Sequence, residues 1–219
     1  MNLTLPACSH IHIWKLHIPC FRLELERWLE RLSQEECDRA QRFLRLKDRE
    51  RFILSRGGLR YLLACYLNCA PKSLVFEYSS YGKPSLVMSH DSLEFNLSHS
   101  GAWIVYAVGL KVLLGIDIEQ LSSRTYLKSF RTRLEGLIEH CLTANEQTTL
   151  PVSYIDRLEG FFKYWTLKEA HLKAVGLGLS YSMTDVEIAW LPEPKLVIPA
   201  NIAQAPTAWT VKLWYPTDG

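Results

Sequence analysis

The sequence predicts an α+β fold in which most strands run antiparallel. Helical and strand patterns do not alternate one by one, as they do around a parallel sheet, but come as helices followed by strands, and this order occurs twice. The strand patterns are short and rich in β-branched and aromatic residues. The chain has 219 residues, 48% of them hydrophobic, so it can form one large domain or two smaller ones.

The chain begins with an amphipathic strand over residues 9–18, where polar and apolar residues alternate with period two. His10, His12 and His17 lie on the polar side of this strand. We interpret these histidines as a solvent-exposed strand face rather than as a metal site.

Helices follow the first strand, and two of them have a starting signal. Ser33 and Glu36 form a capping box, and Asp48 is placed to cap the next helix. Gly57 and Gly58 lie inside that helix, where they weaken helix formation and so indicate close packing or the approach of a ligand. The predicted helices of this region span residues 21–32, Ser33 to about Leu46, and about Arg49 to Leu67.

The remaining elements are short strands and two helical segments. Tyr81–Pro84 is a turn, Thr143 and Glu146 form a second capping box, and Gly176–Gly178 ends the last helix. The predicted strands span residues 75–78, 95–98, 103–108, 112–119, 186–190 and 207–215, and the predicted helices span residues 126–141 and 158–175.

Composition and charge exclude several classes of protein. A net charge of +2 is too small for a general nucleic-acid binder, and no apolar run approaches the ~18 residues of a membrane span. The first residues lack the basic and apolar regions of a signal peptide, and the six cysteines form no C-x-x-C pair or zinc-finger pattern. We therefore expect a cytoplasmic protein with reduced thiols.

One stretch of the chain is strongly basic. From Arg39 to Arg60 there are eight Lys and Arg residues against two acidic residues. A local basic surface suits a phosphorylated ligand or an acidic partner, although a solvent-exposed helix face is the simpler explanation.

The pentapeptide Gly-Ile-Asp-Ile-Glu at residues 115–119 is a candidate metal site. On a strand, Asp117 and Glu119 point to one face, while Ile116 and Ile118 point to the core. Two carboxylates on one face repel each other unless a hard divalent cation lies between them, and Mg²⁺ prefers such oxygen ligands. The alternative is an ordinary exposed strand face, because this pattern is common.

The segment Trp165–Lys173 carries a second acidic candidate. Glu169 and Lys173 are four residues apart on a predicted helix and are therefore neighbours on one face. An exposed ion pair there is worth only about 0.3–0.5 kcal/mol. Bulky apolar neighbours such as Trp165 instead place Glu169 at the border of a packed region, where it needs a cation.

Two further motifs have polar groups suited to an anion. Ser98 and His99 are adjacent on a strand, so they form no nucleophile–base pair, and we expect them to donate hydrogen bonds to an anion. Lys83, in a Gly-Lys-Pro turn, offers a positive charge to phosphate. Acids for Mg²⁺ and bases for phosphate, without a glycine-rich nucleotide loop, predict phosphoryl-type chemistry on a ligand held by side chains.

These motifs occur in the order and spacing of a known family. The stretches YGKP, FNLSHSG, GIDIE and WTLKEAHLKAVGLGL closely resemble the Sfp-type 4′-phosphopantetheinyl transferases, in the variant with a W-x-x-K-E-A motif. A looser resemblance lies in DRAQRFLRLKDRERFILSRGGLRYLL. The likeness covers about residues 38–190.

The resemblance implies an activity and an architecture. The 4′-phosphopantetheine arm would pass from coenzyme A to a serine of an apo carrier protein, with release of adenosine 3′,5′-bisphosphate. The fold would be two similar α/β halves related by a pseudo-two-fold axis, in a monomer. Residues 1–110 would form the nucleotide and 3′-phosphate side, and residues 111–219 would contribute metal ligands and the catalytic helix.

The resemblance also implies roles for single residues. The metal ligands would be Asp117, Glu119 and Glu169. Glu169 would in addition activate the carrier serine, and Lys173 would stabilise charge on the departing bisphosphate. The residues expected to bind coenzyme A are Arg39, Lys83, Ser98, His99 and Lys173.

One position departs from the family pattern. Arg39 would bind the 3′-phosphate with help from Arg51, but Glu35 and Glu36 stand where relatives carry a second basic residue one turn before Arg39.

The implied partners are Mg²⁺, coenzyme A and apo acyl, polyketide or peptidyl carrier proteins, and neither nucleic acid nor membrane. Because carrier proteins are typically acidic, a basic surface would speed their encounter. Two alternatives stay open. One is a non-catalytic module that binds coenzyme A or a carrier protein. The other is a Mg²⁺-dependent nuclease or phosphatase; the near-neutral charge argues against a nucleic-acid substrate, and release of inorganic phosphate from simple esters would support this alternative.

Overall fold

The structure, a computed structural model, describes residues 3–87, 93–121, 132–176, 178, 181–197 and 209–215. Contacts divide the chain into two compact units, Met1–Ile118 and Glu119–Gly219, so the division falls after residue 118 rather than after residue 110. Each unit combines helices with antiparallel strands, which confirms the α+β class. In the described ranges, no helix has the length and apolar character needed to cross a membrane. All six cysteines are free thiols.

Unit 1 is a three-stranded antiparallel sheet packed against a long helix. The sheet has the order β1-β5-β4, and β2 and β3 form a separate hairpin. The elements are β1 (Ile11–His17), α1 (Ile18–Phe21), α2 (Leu25–Leu29), α3 (Gln34–Gln41), α4 (Leu46–Leu67), β2 (Phe76–Tyr78), β3 (Pro84–Leu86), β4 (Leu93–Ser100) and β5 (Trp103–Leu110).

Helix α4 is continuous through both of its glycines, and at each of them a neighbouring group occupies the space where a side chain would lie. A Cβ atom on Gly57 would lie 2.8 Å from the carbonyl oxygen of Trp28, and one on Gly58 would lie 2.2 Å from the hydroxyl oxygen of Tyr106. This confirms the expected close packing. The predicted cap was wrong: α4 begins at Leu46, and Asp48 lies in its first turn, where it accepts a hydrogen bond from Arg51.

We expect Gly58→Ala to destabilise the protein by about 1–3 kcal/mol, because the new methyl group overpacks a filled core. It would displace the Tyr106 hydroxyl, which donates to the carbonyl oxygens of Leu54 and Ser55. The matched control is Gly136→Ala, a helical position where no described residue lies within 4 Å of the added Cβ, and a gain of about 0.5–1 kcal/mol is expected there. Urea unfolding measures the stability change of both variants, and equal unfolding midpoints for Gly58→Ala and Gly136→Ala would contradict the packing account.

Strand β1 does not keep the predicted division into a polar and an apolar face. Ile11 and Ile13 are 46% and 47% exposed, whereas His12 points to α4, where its Nδ1 lies 2.7 Å from the Tyr66 hydroxyl. That hydroxyl also accepts a hydrogen bond of 2.9 Å from Trp14 Nε1. The polar groups of His12 and Trp14 are therefore satisfied inside the unit, and the solvent-facing histidine strand predicted from alternation was wrong for His12.

The segment after β5 covers the second face of the sheet without joining it as a strand. Leu114 and Ile116 pack on Val105 and Ala107 of β5. The backbone N–H of Ile116 donates to the side-chain oxygen of Asn96 at 3.0 Å. A side chain of β4 therefore takes the place of the backbone carbonyl group that a neighbouring strand would supply. The predicted strand over residues 112–119 was therefore wrong, although its buried isoleucine at position 116 was correct.

Unit 2 is built around a second 22-residue helix, whose apolar face packs against two shorter helices and a hairpin. Its elements are α5 (Leu134–Cys141), α6 (Ala144–Thr149), α7 (Tyr154–Val175), β6 (Glu187–Leu191) and β7 (Glu193–Val197). The predictions missed β7, and no strand is assigned over residues 209–215. The first part of the helix predicted from residue 126 lies outside the described residues.

Candidate active site

A cavity of about 430 Å³ in unit 1 collects basic side chains from three elements. Its lining includes Arg39 of α3, Arg51 and Arg56 of α4, and His99 of β4. Arg39 and His99 are among the residues expected to bind coenzyme A, and Arg51 is the residue expected to help Arg39. A concave surface with three guanidinium groups suits a phosphate, because guanidinium groups bind phosphate oxygens with paired hydrogen bonds.

Aromatic rings hold two of the arginines at the cavity. The guanidinium carbon of Arg39 lies 5.3 Å from the ring centre of Phe52, and that of Arg56 lies 5.6 Å from the ring centre of Tyr78. Arg51 is paired at 2.7 Å with Asp48, a carboxylate that also lines the cavity and leaves the three arginines in excess. The basic stretch is therefore not a simple exposed helix face.

Ser55 is a cavity residue that the sequence analysis did not identify. Its side chain lines the cavity, the residue is only 5% exposed, and its hydroxyl has no hydrogen-bond partner in the described part of the chain. Ser55 follows Arg51 by four residues on α4, and Arg56 follows Phe52 by four, so the four share one helix face. This spacing was the available signal.

Lys83 lies in a tight turn beside β3. Gly82 has a φ of +81°, and the backbone N–H of Lys83 donates to the Ser79 hydroxyl at 3.1 Å. Burial lowers the pKa of the Lys83 ammonium below its usual value, and the nearby Glu94 carboxylate offsets part of this effect. Lys83 therefore loses its charge at a lower pH than an exposed lysine.

Because the resemblance assigns Lys83 to coenzyme A, we expect the Michaelis constant for coenzyme A to rise in alkaline solution, below the pH at which ordinary lysines titrate. The positive charge of Lys83, which would attract the phosphate groups of coenzyme A, is present below the lowered pKa of this lysine and is lost as the pH rises through that pKa. Steady-state kinetics between neutral and alkaline pH measure this effect. Lys83→Arg should move the rise to higher pH, and an unchanged profile in that variant would assign the effect to another group.

The acidic segment is anchored to β4 through a second polar side chain. The Ser98 hydroxyl donates to Asp117 Oδ1 at 2.7 Å, which fixes the orientation of that carboxylate. Ser98 is 7% exposed and lies on the face of β4 that carries Asn96. His99 points to the opposite face and to the cavity. The two residues, expected to act together on an anion, thus lie on different faces of the sheet.

In unit 2, α7 presents its expected site residues at a partly buried surface. Glu169 and Lys173 are both partly buried, whereas Lys168, directly before Glu169, is completely buried. His171 is also buried, edge-on to Trp209 with ring centres 4.8 Å apart. Burial lowers the pKa of His171 to about 4, so the ring is neutral near pH 7.

The expected metal ligands are divided between the two units. Asp117 belongs to unit 1, while Glu119 is the first residue of unit 2 and Glu169 lies on α7. Within either unit, the described residues contain no group of three or more Asp, Glu, His or Cys side chains able to hold a metal ion.

A larger cavity in unit 2, of about 740 Å³, contains none of the expected site residues. Tyr164 and Trp190 contribute aromatic surface to it, and Asp156, Glu159 and Glu187 contribute carboxylates. Carboxylates repel phosphate groups, so this cavity is a poor site for a pyrophosphate in spite of its size.

Comparisons with known proteins agree with both units. Residues 113–218 match the model of the 4′-phosphopantetheinyl transferase superfamily. Residues 19–110 match the model of the 4′-phosphopantetheinyl transferase N-terminal region. The 4′-phosphopantetheinyl transferase HetI of Nostoc sp. is 36% identical over 219 residues, which cover 99% of this chain and 87% of that protein. The chain belongs to the 4′-phosphopantetheinyl transferase superfamily.

Other relatives of the transferase are more distant. A 4′-phosphopantetheinyl transferase of Bacillus subtilis is 28% identical over 166 residues, covering 75% of this chain and 69% of that protein. A holo-(acyl-carrier-protein) synthase structure from Bacillus anthracis is 21% identical and covers 46% of this chain and 93% of that one, with a TM-score of 0.38.

The family confirms the activity expected from the motifs. The chain is a transferase that moves 4′-phosphopantetheine from coenzyme A to a carrier protein. A module that only binds these partners is not favoured.

Proposed function

We propose that the transferase holds the nucleotide of coenzyme A in the unit 1 cavity and passes the phosphopantetheine arm to a serine of an apo carrier protein with the aid of Mg²⁺. The observation that carries the proposal is the cavity itself, in which Arg39 and His99 lie together with Arg51 and Arg56. The phosphate groups of coenzyme A match this cationic lining.

The 3′-phosphate is assigned to Arg39, with Arg51 and Arg56 beside it. Arg39 and Arg56 are already held against aromatic rings, so little side-chain freedom is lost on binding. The Ser55 hydroxyl, which has no hydrogen-bond partner among the described residues, can donate a further hydrogen bond to a phosphate oxygen. These groups offset the absence of a basic residue at Glu35 and Glu36.

The residues present fit a magnesium ion. Carboxylates are the ligands that Mg²⁺ prefers, and Asp117 is oriented by the Ser98 hydroxyl as ligating carboxylates commonly are. Glu119 and Glu169 would complete the set. When bound, Mg²⁺ would neutralise charge on the pyrophosphate and polarise the attacked phosphorus.

The transfer exchanges one phosphorus–oxygen bond for another. The serine oxygen of the carrier forms a bond to the phosphorus of the phosphopantetheine, while the bond from that phosphorus to adenosine 3′,5′-bisphosphate breaks. Glu169 accepts the serine proton, directly or through a water. The ammonium group of Lys173 stabilises the negative charge that develops on the departing bisphosphate.

The carrier protein is assigned to the exposed connection between α3 and α4 together with the first turn of α4. Arg42, Arg45 and Lys47 are exposed there, and between them Leu44 is 101% exposed and Leu46 is 73% exposed. An acidic partner with a small apolar patch complements this surface. Leu44→Ser should raise the Michaelis constant for the carrier and leave that for coenzyme A unchanged, and the opposite pattern would contradict the assignment.

Incubation of the protein with coenzyme A, Mg²⁺ and an apo acyl carrier protein tests the proposed function. Mass spectrometry should show a carrier enlarged by one phosphopantetheine and the release of adenosine 3′,5′-bisphosphate. Binding of both substrates without product would support the non-catalytic alternative. Release of inorganic phosphate from simple esters, with an unmodified carrier, would support a phosphatase.

A further inference from the structure

Both units contain the same buried arrangement of a capping-box glutamate and a cation. In unit 1, Glu36 Oε2 accepts hydrogen bonds from the backbone N–H of Ser33 at 3.1 Å and from Arg60 Nε at 2.5 Å. The side chains of Arg60 and Glu36 are only 4% and 9% exposed. The glutamate that caps α3 thus also binds the long helix α4.

Unit 2 repeats this arrangement on its own long helix. Glu146 Oε2 accepts hydrogen bonds from the backbone N–H of Thr143 at 2.7 Å and from Lys168 Nζ at 2.5 Å. The side chains of Lys168 and Glu146 are 0% and 1% exposed. The second oxygen of Glu146 accepts a hydrogen bond from the backbone N–H of Ile188 at 2.7 Å.

Each cation also binds two backbone carbonyl groups. Arg60 Nη1 donates to the carbonyl oxygens of Pro71 and Leu74, both at 2.9 Å. Lys168 Nζ donates to those of Cys141 at 3.0 Å and Met183 at 2.9 Å. All three N–H donors of Lys168 are therefore used, and the rotation of α7 about its axis is fixed at that residue.

Each long helix bears residues of the site close to its buried cation. Helix α4 carries Arg51, Ser55 and Arg56 within three turns of Arg60. Helix α7 carries Glu169 directly after Lys168, and Lys173 lies about one helical turn after Glu169. A small rotation of either helix would move these side chains, and displacements near 1 Å are costly for catalysis.

We infer that Glu36–Arg60 and Glu146–Lys168 are two copies of one positioning device, the first setting the affinity for coenzyme A and the second setting turnover. The inference rests on the proposed function. Buried ion pairs are often replaceable by apolar side chains without loss of stability. Their repetition in the two units, each on the helix that bears site residues, therefore indicates a geometric role.

The test compares two double variants, Glu36→Gln/Arg60→Met and Glu146→Gln/Lys168→Met. Each removes both charges, so no unpaired buried charge remains, and glutamine keeps the capping box. The unit 1 variant should raise the Michaelis constant for coenzyme A about tenfold with turnover within about threefold of wild type. The unit 2 variant should lower turnover at least about tenfold and leave that Michaelis constant within about threefold.

The matched control is Glu159→Gln/Lys163→Met, which removes a partly exposed ion pair on α7 and should change neither constant. Hydrogen exchange supplies a readout that does not depend on activity, because amides around Glu169 should exchange faster only in the unit 2 variant. If both double variants keep the wild-type turnover, Michaelis constant for coenzyme A and hydrogen-exchange rates, the pairs are merely structural and the inference is overturned. It is also overturned if both variants change the same one of the two kinetic constants. An inactive wild type would instead refute the proposed function.

Discussion

Asp117→Asn is expected to reduce turnover by more than about 100-fold while the protein stays folded. Asparagine has the shape of aspartate and can still accept the hydrogen bond from Ser98, but it lacks the negative charge that a magnesium ligand supplies. Loss of an outer hydrogen-bond partner alone costs about 10–100-fold, so loss of the ligand itself should cost more. Steady-state transfer at saturating coenzyme A, carrier protein and Mg²⁺ measures the effect.

Ser98→Ala is the graded control for this experiment. It keeps the Asp117 carboxylate but removes the hydroxyl that orients it, so the expected loss is the smaller one, about 10–100-fold. Far-ultraviolet circular dichroism should be the same for both variants and the wild type. Wild-type turnover by Asp117→Asn would mean that the proposed metal site is misplaced.

Lys168→Met is expected to lower the free energy of unfolding by about 3–5 kcal/mol, more than Gly58→Ala does. The lysine side chain is completely buried against Glu146, and removal of one partner leaves the other charge buried and unpaired. Total stabilities of folded proteins are only about 5–15 kcal/mol. Chemical unfolding followed by tryptophan fluorescence measures the change.

Lys163→Met is the matched control, because it lies on the same helix and its ion pair with Glu159 is partly exposed. Exposed pairs contribute about 0–1 kcal/mol, so the unfolding midpoint should hardly move. If both lysine variants unfold at the same denaturant concentration, removal of Lys168 does not leave an unpaired buried charge on Glu146, and this expectation is wrong.

Local chemical rules predicted much of the fold. The capping boxes at Ser33 and Thr143 both form, because each depends only on residues within one turn. Gly57 and Gly58 lack a side chain. This absence weakens a helix, and it also lets neighbouring groups approach closely, so the two glycines indicated close packing. By contrast, β7 contains Pro194, which suggested a loop, yet an isolated two-stranded hairpin tolerates proline at its edge.

Contacts between residues far apart in the sequence determine the features of the fold that the sequence patterns did not predict. Alternation in β1 identified the strand but not its inner face, because the Tyr66 hydroxyl on α4 satisfies His12 and Trp14. The segment before Asp117 has strand-like alternation, yet Asn96 binds its backbone in place of a neighbouring strand. Neither partner is near in sequence.

The candidate site was predicted in part. The motifs identified Asp117, Glu169 and Lys173 as residues for chemistry, but the first lysine of the W-x-x-K-E-A motif, Lys168, carried no sign that it is a buried structural cation. Its partner Glu146 lies 22 residues earlier and was identified only as a capping residue. A charged residue inside a motif therefore does not by itself indicate contact with the substrate.

Binding of a divalent ion tests the central proposal most directly, namely that Asp117, Glu119 and Glu169 share one metal. The probe is Mn²⁺, titrated into the protein with coenzyme A present and followed by electron paramagnetic resonance. The account predicts one ion per chain and at least about tenfold weaker binding in each of Asp117→Asn, Glu119→Gln and Glu169→Gln, with no change in the exposed control Glu139→Gln. Wild-type affinity in any of the three variants would contradict it.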